Sequence, residues 1–514
     1  MLGAVVFLLQ SATTALAEPL QPRRAALRAR AEAYTLLAAS RGANAACPCK
    51  DASLCAPIAG SPARDREVYG FGGGNGSGLD FSRVTTVAWG HDDILMCAAH
   101  KAGARVVLAA PQPEKVFLKN ESVRAKWVKD AVRAVVNAHA DGLVFDWESP
   151  CAAGCKEMPA YALLIGATRT ALRARAASYQ VSTCVAWSPD SIDGRDYDVV
   201  ALAAQSDLLY VMDYDTRSQV FDACLAAANA PFFGMVRGLQ RYTQLGVSPS
   251  QLVLGVPWYG YRYPCVAGTA RTATYCPIRS VPFRGVNCSD AAGREIPYSN
   301  IMQSLAAPSS TGRQWDSNQG APYFNAVEPT DGAPASTVQY WYDDPQSLAA
   351  KYAHARQVGV RGVGPFTFTD APLVTQPKMW ASLDAFLKPA ARHTPPMAVA
   401  PAPASLDDDG DDDETPIWPY AYDGDDGGDG TVDGGPCTGA TKQKALYLHY
   451  DFEPSLSASP ALDIAVEHEW NSTSDLMRYG KRGVFAAQPI GTHDGLGGYA
   501  PHGLNPQCFH AARL

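Results

Sequence analysis

After its first residues the sequence contains no apolar run approaching the roughly 20 residues that a membrane-spanning helix requires, so no membrane span is expected. Basic residues nowhere gather into the face or stripe that nucleic-acid binding needs, which removes nucleic acid from the expected partners. Among 13 cysteines no CxxC pair with partner histidines appears, so zinc is a poorer reading of their spacing than disulfides. Lys and Arg are missing altogether between Thr394 and Thr441, where 12 acidic residues lie. The formal net charge of -8 is therefore concentrated in that one stretch, and the remainder carries +4.

A chain of 514 residues with 47% hydrophobic composition is long enough to bury one large core and still carry appendages. Its N-terminus runs from an apolar Met1 to Leu9 into the small residues Ala15-Leu16-Ala17, the pattern of a secretory signal over 1–17, although no Lys or Arg precedes the apolar run. Sequons at Asn75, Asn120, Asn287 and Asn471 agree with a glycosylating, oxidising compartment. The expected location is the secretory pathway, ending in a lysosomal or vacuolar lumen or outside the cell. The cysteines cluster as Cys47, Cys49, Cys55; Cys151, Cys155; and Cys265, Cys276, Cys288, and their pairing stays open. Their odd number leaves at least one thiol free or bonded to another chain.

A leader over 18–46 is rich in Ala and Arg with little to bury beyond Tyr34 and a few leucines, and reads as helical or disordered. From Cys47 onward, short β-branched runs alternate with longer amphipathic stretches, the pattern of βα units. Strands are expected at Glu67 to Phe71, Thr85 to Trp89, Arg105 to Ala109, Gly142 to Glu148, Val181 to Trp187, Leu208 to Tyr214, Leu252 to Trp258 and Gly362 to Phe368. Intervening helices are expected at Glu121 to His139, Met158 to Ser178, Phe232 to Leu245, Pro345 to Val358 and Lys378 to Leu387. Eight such units predict an α/β fold, a closed (β/α)8 TIM barrel spanning 47–390. Tyr261 to Asp344 is too long for a loop and reads as a subdomain inserted between strands seven and eight, over the barrel mouth. The Pro/Ala-rich, then Asp/Gly-rich segment 394–436 cannot bury enough apolar surface to fold and is expected to be a disordered linker. Alternation returns at Ala445 to Phe452, which predicts a small β-rich segment over 437–514.

The segment Asp141-Gly-Leu-Val-Phe-Asp-Trp-Glu148 is the richest in chemistry. Side chains alternate along a strand, so Val144, Asp146 and Glu148 share one face and Leu143, Phe145 and Trp147 the other. Turned inward in a barrel, the two carboxylates reach the C-terminal rim, where such barrels carry out catalysis. Their backbones stand roughly 6.5 to 7 Å apart. Like-charge repulsion then favours a proton shared by the pair, leaving Glu148 able to donate to a leaving oxygen. The structural alternative, a buried pair held by cations, is disfavoured because no Lys or Arg is adjacent.

This segment resembles the strand-four motif DGxDxDxE of glycoside hydrolase family 18. Met212-Asp213-Tyr214-Asp215 and Gly255-Val256-Pro257-Trp258-Tyr259-Gly260 match the family's later motifs in order. Cys47-Pro-Cys49, Ala186-Trp187-Ser188-Pro189, Val281-Pro282-Phe283-Arg284-Gly285 and Trp341-Tyr342-Asp343-Asp344-Pro345 narrow the resemblance to its chitobiase branch, over roughly 47–388. The resemblance implies a retaining, substrate-assisted glycosidase in which the substrate's N-acetyl oxygen is the nucleophile. Glu148 would be acid and base, Asp146 would orient the acetamido nitrogen, and Tyr214 would donate its hydroxyl to that group. Asp141 would support Asp146 from behind as part of the substrate site, Asp215 would bind the sugar from the rim, and Trp258 and Phe366 would line it. The implied substrate contains GlcNAc-β-1,4-GlcNAc, as at the reducing end of oligosaccharides released from glycoproteins, and no cofactor or metal is called for. Two positions depart from the family: Val144 stands where Asp or Asn is usual, and Phe366 where a Trp forms the sugar floor. An internally cutting chitinase and a non-catalytic chitinase-like lectin remain as alternatives. The chitobiase-like segments outside the site weigh against the first and the retained Glu148 against the second.

Overall fold

The β-branched runs fold as parallel strands: β1 (Glu67–Phe71), β2 (Thr86–Ala88), β3 (Arg105–Ala109), β4 (Gly142–Phe145), β5 (Gln180–Ala186), β6 (Leu208–Met212) and β7 (Leu252–Pro257). A five-stranded antiparallel sheet interrupts the series, made of β8 (Tyr259–Pro264), β9 (Arg294–Pro297), β10 (Gln314–Asp316), β11 (Ala321–Thr330) and β12 (Ala333–Trp341). The eighth barrel strand, β13 (Gly362–Phe366), then pairs in parallel with both β7 and β1 and closes the ring. This computed structural model describes residues 22–388 except 43–44, 60–65, 91, 222 and 331–332, together with the strands 443–450 and 462–470. The expected signal 1–17 and linker 394–436 lie outside the described residues.

Helices α1 (Pro22–Ser40), α2 (Asp93–Lys101), α3 (Glu121–Asn137), α4 (Glu157–Arg173), α5 (Val199–Gln205) and α6 (Phe232–Gln244) precede the inserted sheet's own α7 (Tyr298–Leu305). They are followed by α8 (Pro345–Val358), α9 (Pro377–Ser382) and α10 (Asp384–Leu387). Local sequence sets several of these ends. Asp344 and Ser347 form a reciprocal capping box on α8, Pro345 takes its first turn, and Gly359 ends it at φ +80°. Asn120 caps α3 through the Val123 amide at 3.0 Å. The helix expected over Lys378 to Leu387 is two short ones that meet at Leu383.

Side-chain parity sorts the barrel. Val144 points inward to a buried cluster with Val107, Cys184, Tyr210 and Phe366. Phe145 faces outward, its ring 5.9 Å from Trp127 of α3 and 6.0 Å from Tyr161 of α4. At Gly142, φ is +153° and a Cβ would lie 1.8 Å from the Gln180 carbonyl oxygen, so only glycine lets β4 lie this close to β5.

Five disulfides staple the unit: Cys47–Cys55, Cys49–Cys97, Cys151–Cys155, Cys224–Cys288 and Cys265–Cys276. Among the described residues only Cys184 keeps a free thiol, buried beside β4. Chain contacts divide the molecule into one unit up to Lys388 and a second from Pro389 onward, in which β14 (Gln443–Tyr450) and β15 (Leu462–Trp470) pair antiparallel. No helix among the described residues is long and apolar enough to cross a membrane.

Candidate active site

Asp146 and Glu148 follow directly on β4, inward by parity and at the C-terminal mouth, and both are largely buried. The sequence shows no basic neighbour, yet cations reach the pair from far along the chain. Glu148 Oε1 accepts from Arg24 at 2.8 Å and its Oε2 from Arg195 at 3.1 Å, while Arg284 bonds its carbonyl at 3.3 Å. Arg28 lies 3.7 Å from Asp146 Oδ2. The other Asp146 oxygen is buried without a hydrogen-bond partner.

These charges act against the shared proton expected to favour Glu148 as donor. Burial alone would raise its carboxyl, but Arg24 and Arg195, with Arg28 and Arg284, hold it below the ordinary glutamate value. Asp146 moves the other way: burial and then the Glu148 charge raise it, against Arg28 and Arg24. The two carboxyls are thus driven apart, Glu148 downward and Asp146 upward.

Beside the pair, β6 continues through Met212 into Tyr214 and Asp215. Tyr214 lies on the inward parity of Tyr210 and Met212, and its ring stacks on Phe366 at 5.3 Å. Phe366, the last residue of β13, also meets Phe71, Trp89 and Tyr259, and so forms an aromatic floor at the mouth. Asp215, at φ +53°, accepts from Tyr259 at 2.6 Å and Tyr261 at 3.0 Å, and its second oxygen lies 3.3 Å from Arg24. Burial raises its carboxyl against Arg24 and the two tyrosines. Beyond it, burial and the Asp215 charge push Asp290 and Glu295 each up to about 8. Glu148, Tyr214, Asp215, Arg24, Arg195 and Asp290 line a cavity of about 110 Å³.

Two of the expected site residues stand away from this cluster. Asp141 immediately precedes β4 at the opposite rim, where it accepts from Ile58 and Val106 amides at 2.8 Å each and pairs with His100 at 2.9 Å. It ties the disulfide-bearing N-terminal segment and β3 to the start of β4. Trp258 is fully buried on the outward parity of β7, packed edge-on to Phe368 and Trp380, with its indole N–H on the Tyr352 hydroxyl at 3.3 Å. Replacing it with Ala is expected to cost about 3 to 5 kcal/mol in a denaturant melt, with KM of the folded enzyme unchanged. A raised KM at unchanged stability would return Trp258 to the sugar site.

Sequence reasoning missed Arg24, Arg28, Arg195, Arg284, Tyr259, Tyr261 and Asp290. For the two tyrosines a signal existed, the alternation Tyr259-Gly-Tyr261-Arg-Tyr263 that turns a row of aromatics to one face. The arginines carry no such pattern, because Arg24, Arg195 and Arg284 meet Glu148 across 124, 47 and 136 residues and Arg28 meets Asp146 from the same helix as Arg24.

Comparison with known proteins places the chain among glycoside hydrolases. The model of the family described as "Glycosyl hydrolases family 18" matches residues 113–370. The di-N-acetylchitobiase of Rattus norvegicus is 39% identical over 348 residues, covering 66% of this chain and 92% of the rat protein. That of Homo sapiens is 38% identical over 320 residues, 62% of this chain and 81% of the human one. A family 18 chitinase from Cycas revoluta, solved in complex with (GlcNAc)3, superposes with a TM-score of 0.50 at 17% identity. It covers 62% of this chain and 99% of its own, a likeness of fold.

Proposed function

Because the chain belongs to glycosyl hydrolase family 18, we propose that it hydrolyses the GlcNAc-β-1,4-GlcNAc bond of short glycans, with retention and with help from the substrate's own acetamido group. The observation that carries this reading is the Asp146 and Glu148 pair following β4 at the barrel mouth, with Glu148 and Tyr214 lining one cavity and Tyr214 stacked on Phe366.

Glu148 gives its proton to the leaving oxygen, and the acetamido oxygen attacks the anomeric carbon from the other side to form a cyclic oxazolinium. Asp146 receives the acetamido N–H on its unpartnered oxygen and offsets the positive charge of that ring. The Tyr214 hydroxyl donates to the acetamido oxygen and aims it. Glu148 then takes a proton from water, which opens the ring with the original β configuration restored. Phe366 offers its face to the sugar, and Asp215, held by Tyr259 and Tyr261, accepts from sugar hydroxyls at the rim. Val144 supplies no hydrogen bond from below, so Asp146 relies on the substrate and on the Cys184 thiol, which weakly lowers its carboxyl. No metal or cofactor enters these steps.

Similarity to the chitobiases of rat and human supports a short substrate, the chitobiose core of released N-glycans, over polymeric chitin. Five disulfides support an oxidising lumen, lysosomal, vacuolar or extracellular. The test is product analysis by mass spectrometry after incubation with chitobiose, a glycan ending in chitobiose, and soluble chitin. Release of a single reducing-end GlcNAc from the glycan is expected. Internal fragments from chitin would indicate a chitinase, and binding without any product a lectin.

A further inference from the structure

The helix that leads into the barrel stands in its mouth. Arg24 of α1 is only 6% exposed; its guanidinium bonds Glu148 at 2.8 Å, reaches Asp215 at 3.3 Å and lies 5.5 Å from the centres of both the Tyr214 and Phe366 rings. One helical turn on, Arg28 faces Asp146 at 3.7 Å. On the other side Arg23 pairs with Asp370 and lies 3.9 Å from Glu295. Ala31 joins the buried cluster that fills the mouth.

The groups assigned above to proton donor, acetamido support and sugar floor are thus held by one segment. What space is left, about 110 Å³, falls well short of the roughly 300 to 1,000 Å³ typical of small-molecule sites. We propose that α1 is an inhibitory pro-segment: its arginines occupy the place of the cleaved sugar, and the enzyme stays closed until the helix is cut away or displaced. This rests on the hydrolytic reading above for the identity of the substrate.

The composition of α1 fits that task better than a purely structural one. Cations in a helix's first turn oppose the macrodipole, so Arg23 and Arg24 do not serve helix stability. The fully buried positions of α1 are Arg24, Ala31, Glu32, Thr35 and Ala38, and the one leucine it sets against the core cluster is the half-buried Leu27. Three arginines matched to the carboxylates of Asp146, Glu148, Asp215, Glu295 and Asp370 supply the specificity instead. At its far end the helix is held from outside the cleft, by Asn137 donating to the Ala38 carbonyl at 3.0 Å and Arg133 to that of Ala39 at 2.6 Å. Just beyond, Cys47 and Cys49 anchor the chain through disulfides to Cys55 and Cys97. A cut within 41–46 therefore frees α1 and leaves the barrel stapled.

A tethered segment acts at an effective concentration of about millimolar. With an intrinsic dissociation constant of about 10 μM, it would leave roughly one cleft in a hundred open. The experiment inserts a specific protease site within 41–46 of the full chain. Hydrolysis of chitobiose and calorimetric binding of (GlcNAc)2 are then compared before cutting and after cutting with gel filtration. The full-length Arg24→Ala/Arg28→Ala variant is measured in parallel, so that a helix which stays bound after cutting does not obscure the result.

Loss of α1, or of its two arginines, is expected to raise kcat/KM by about 100-fold. A synthetic peptide of residues 22–40 should compete with substrate, and its Arg24→Ala version should not. Equal activity in the intact, cut and substituted proteins overturns the proposal and leaves the hydrolytic reading standing. If none hydrolyses but (GlcNAc)2 binds only the opened forms, the block stands and the hydrolytic reading falls. Failure of the opened forms to gain binding or activity overturns the block.

Discussion

Glu148→Gln is expected to lower kcat on chitobiose by about 10²- to 10⁴-fold, measured beside the parent enzyme with its cleft equally open. The amide preserves the shape of the side chain but neither donates nor recovers a proton. Because Glu148 is gripped by Arg24 and Arg195, a neutral amide there also loosens α1. Substrate affinity should then stay the same or improve while turnover collapses. A variant with near-parental turnover would remove Glu148 from the proton-transfer role.

Asp146→Asn should cost about 10²- to 10³-fold in kcat, the scale seen when a preorganised charge or donor aimed at the developing charge is removed. Asn keeps a hydrogen-bond acceptor for the acetamido N–H but loses the negative charge that offsets the oxazolinium. The pH profile supplies a second readout. The Glu148 charge raises the Asp146 carboxyl, and like-charge repulsion acts in both directions. Without Asp146's charge, Glu148 gives up its proton at lower pH, so the alkaline limb of kcat/KM moves down. An unchanged limb with reduced kcat would mean that Asp146 acts by position alone.

The barrel was legible because period-two patterning and barrel geometry agree. Val144, Asp146 and Glu148 share the inward parity that alternation assigned them, and Tyr210, Met212 and Tyr214 repeat it on β6. The same rule, applied strictly, would have excluded Trp258, which has the outward parity of Leu254 and Val256 on β7 and packs on Phe368 and Trp380. Asp141 was drawn into the site by its motif, although it precedes β4 at the rim remote from Glu148. The leader was the harder case. It reads as helical or disordered with little to bury, because the carboxylates that bury its arginines are supplied from just after β4, the turn after β6, the inserted sheet and the segment after β13. Charge pairing at such separations leaves no local periodicity to find.

The central claim is that the acetamido group of the cleaved sugar performs the displacement in this site, with Glu148 shuttling the proton. Time-resolved proton NMR of chitobiose hydrolysis, run with the cleft open, follows the anomer of the first GlcNAc released from the non-reducing side. A β product formed before mutarotation, together with no cleavage of the analogue carrying hydroxyl in place of acetamido, is the expected result. An α product, or efficient cleavage of the hydroxyl analogue, would contradict it.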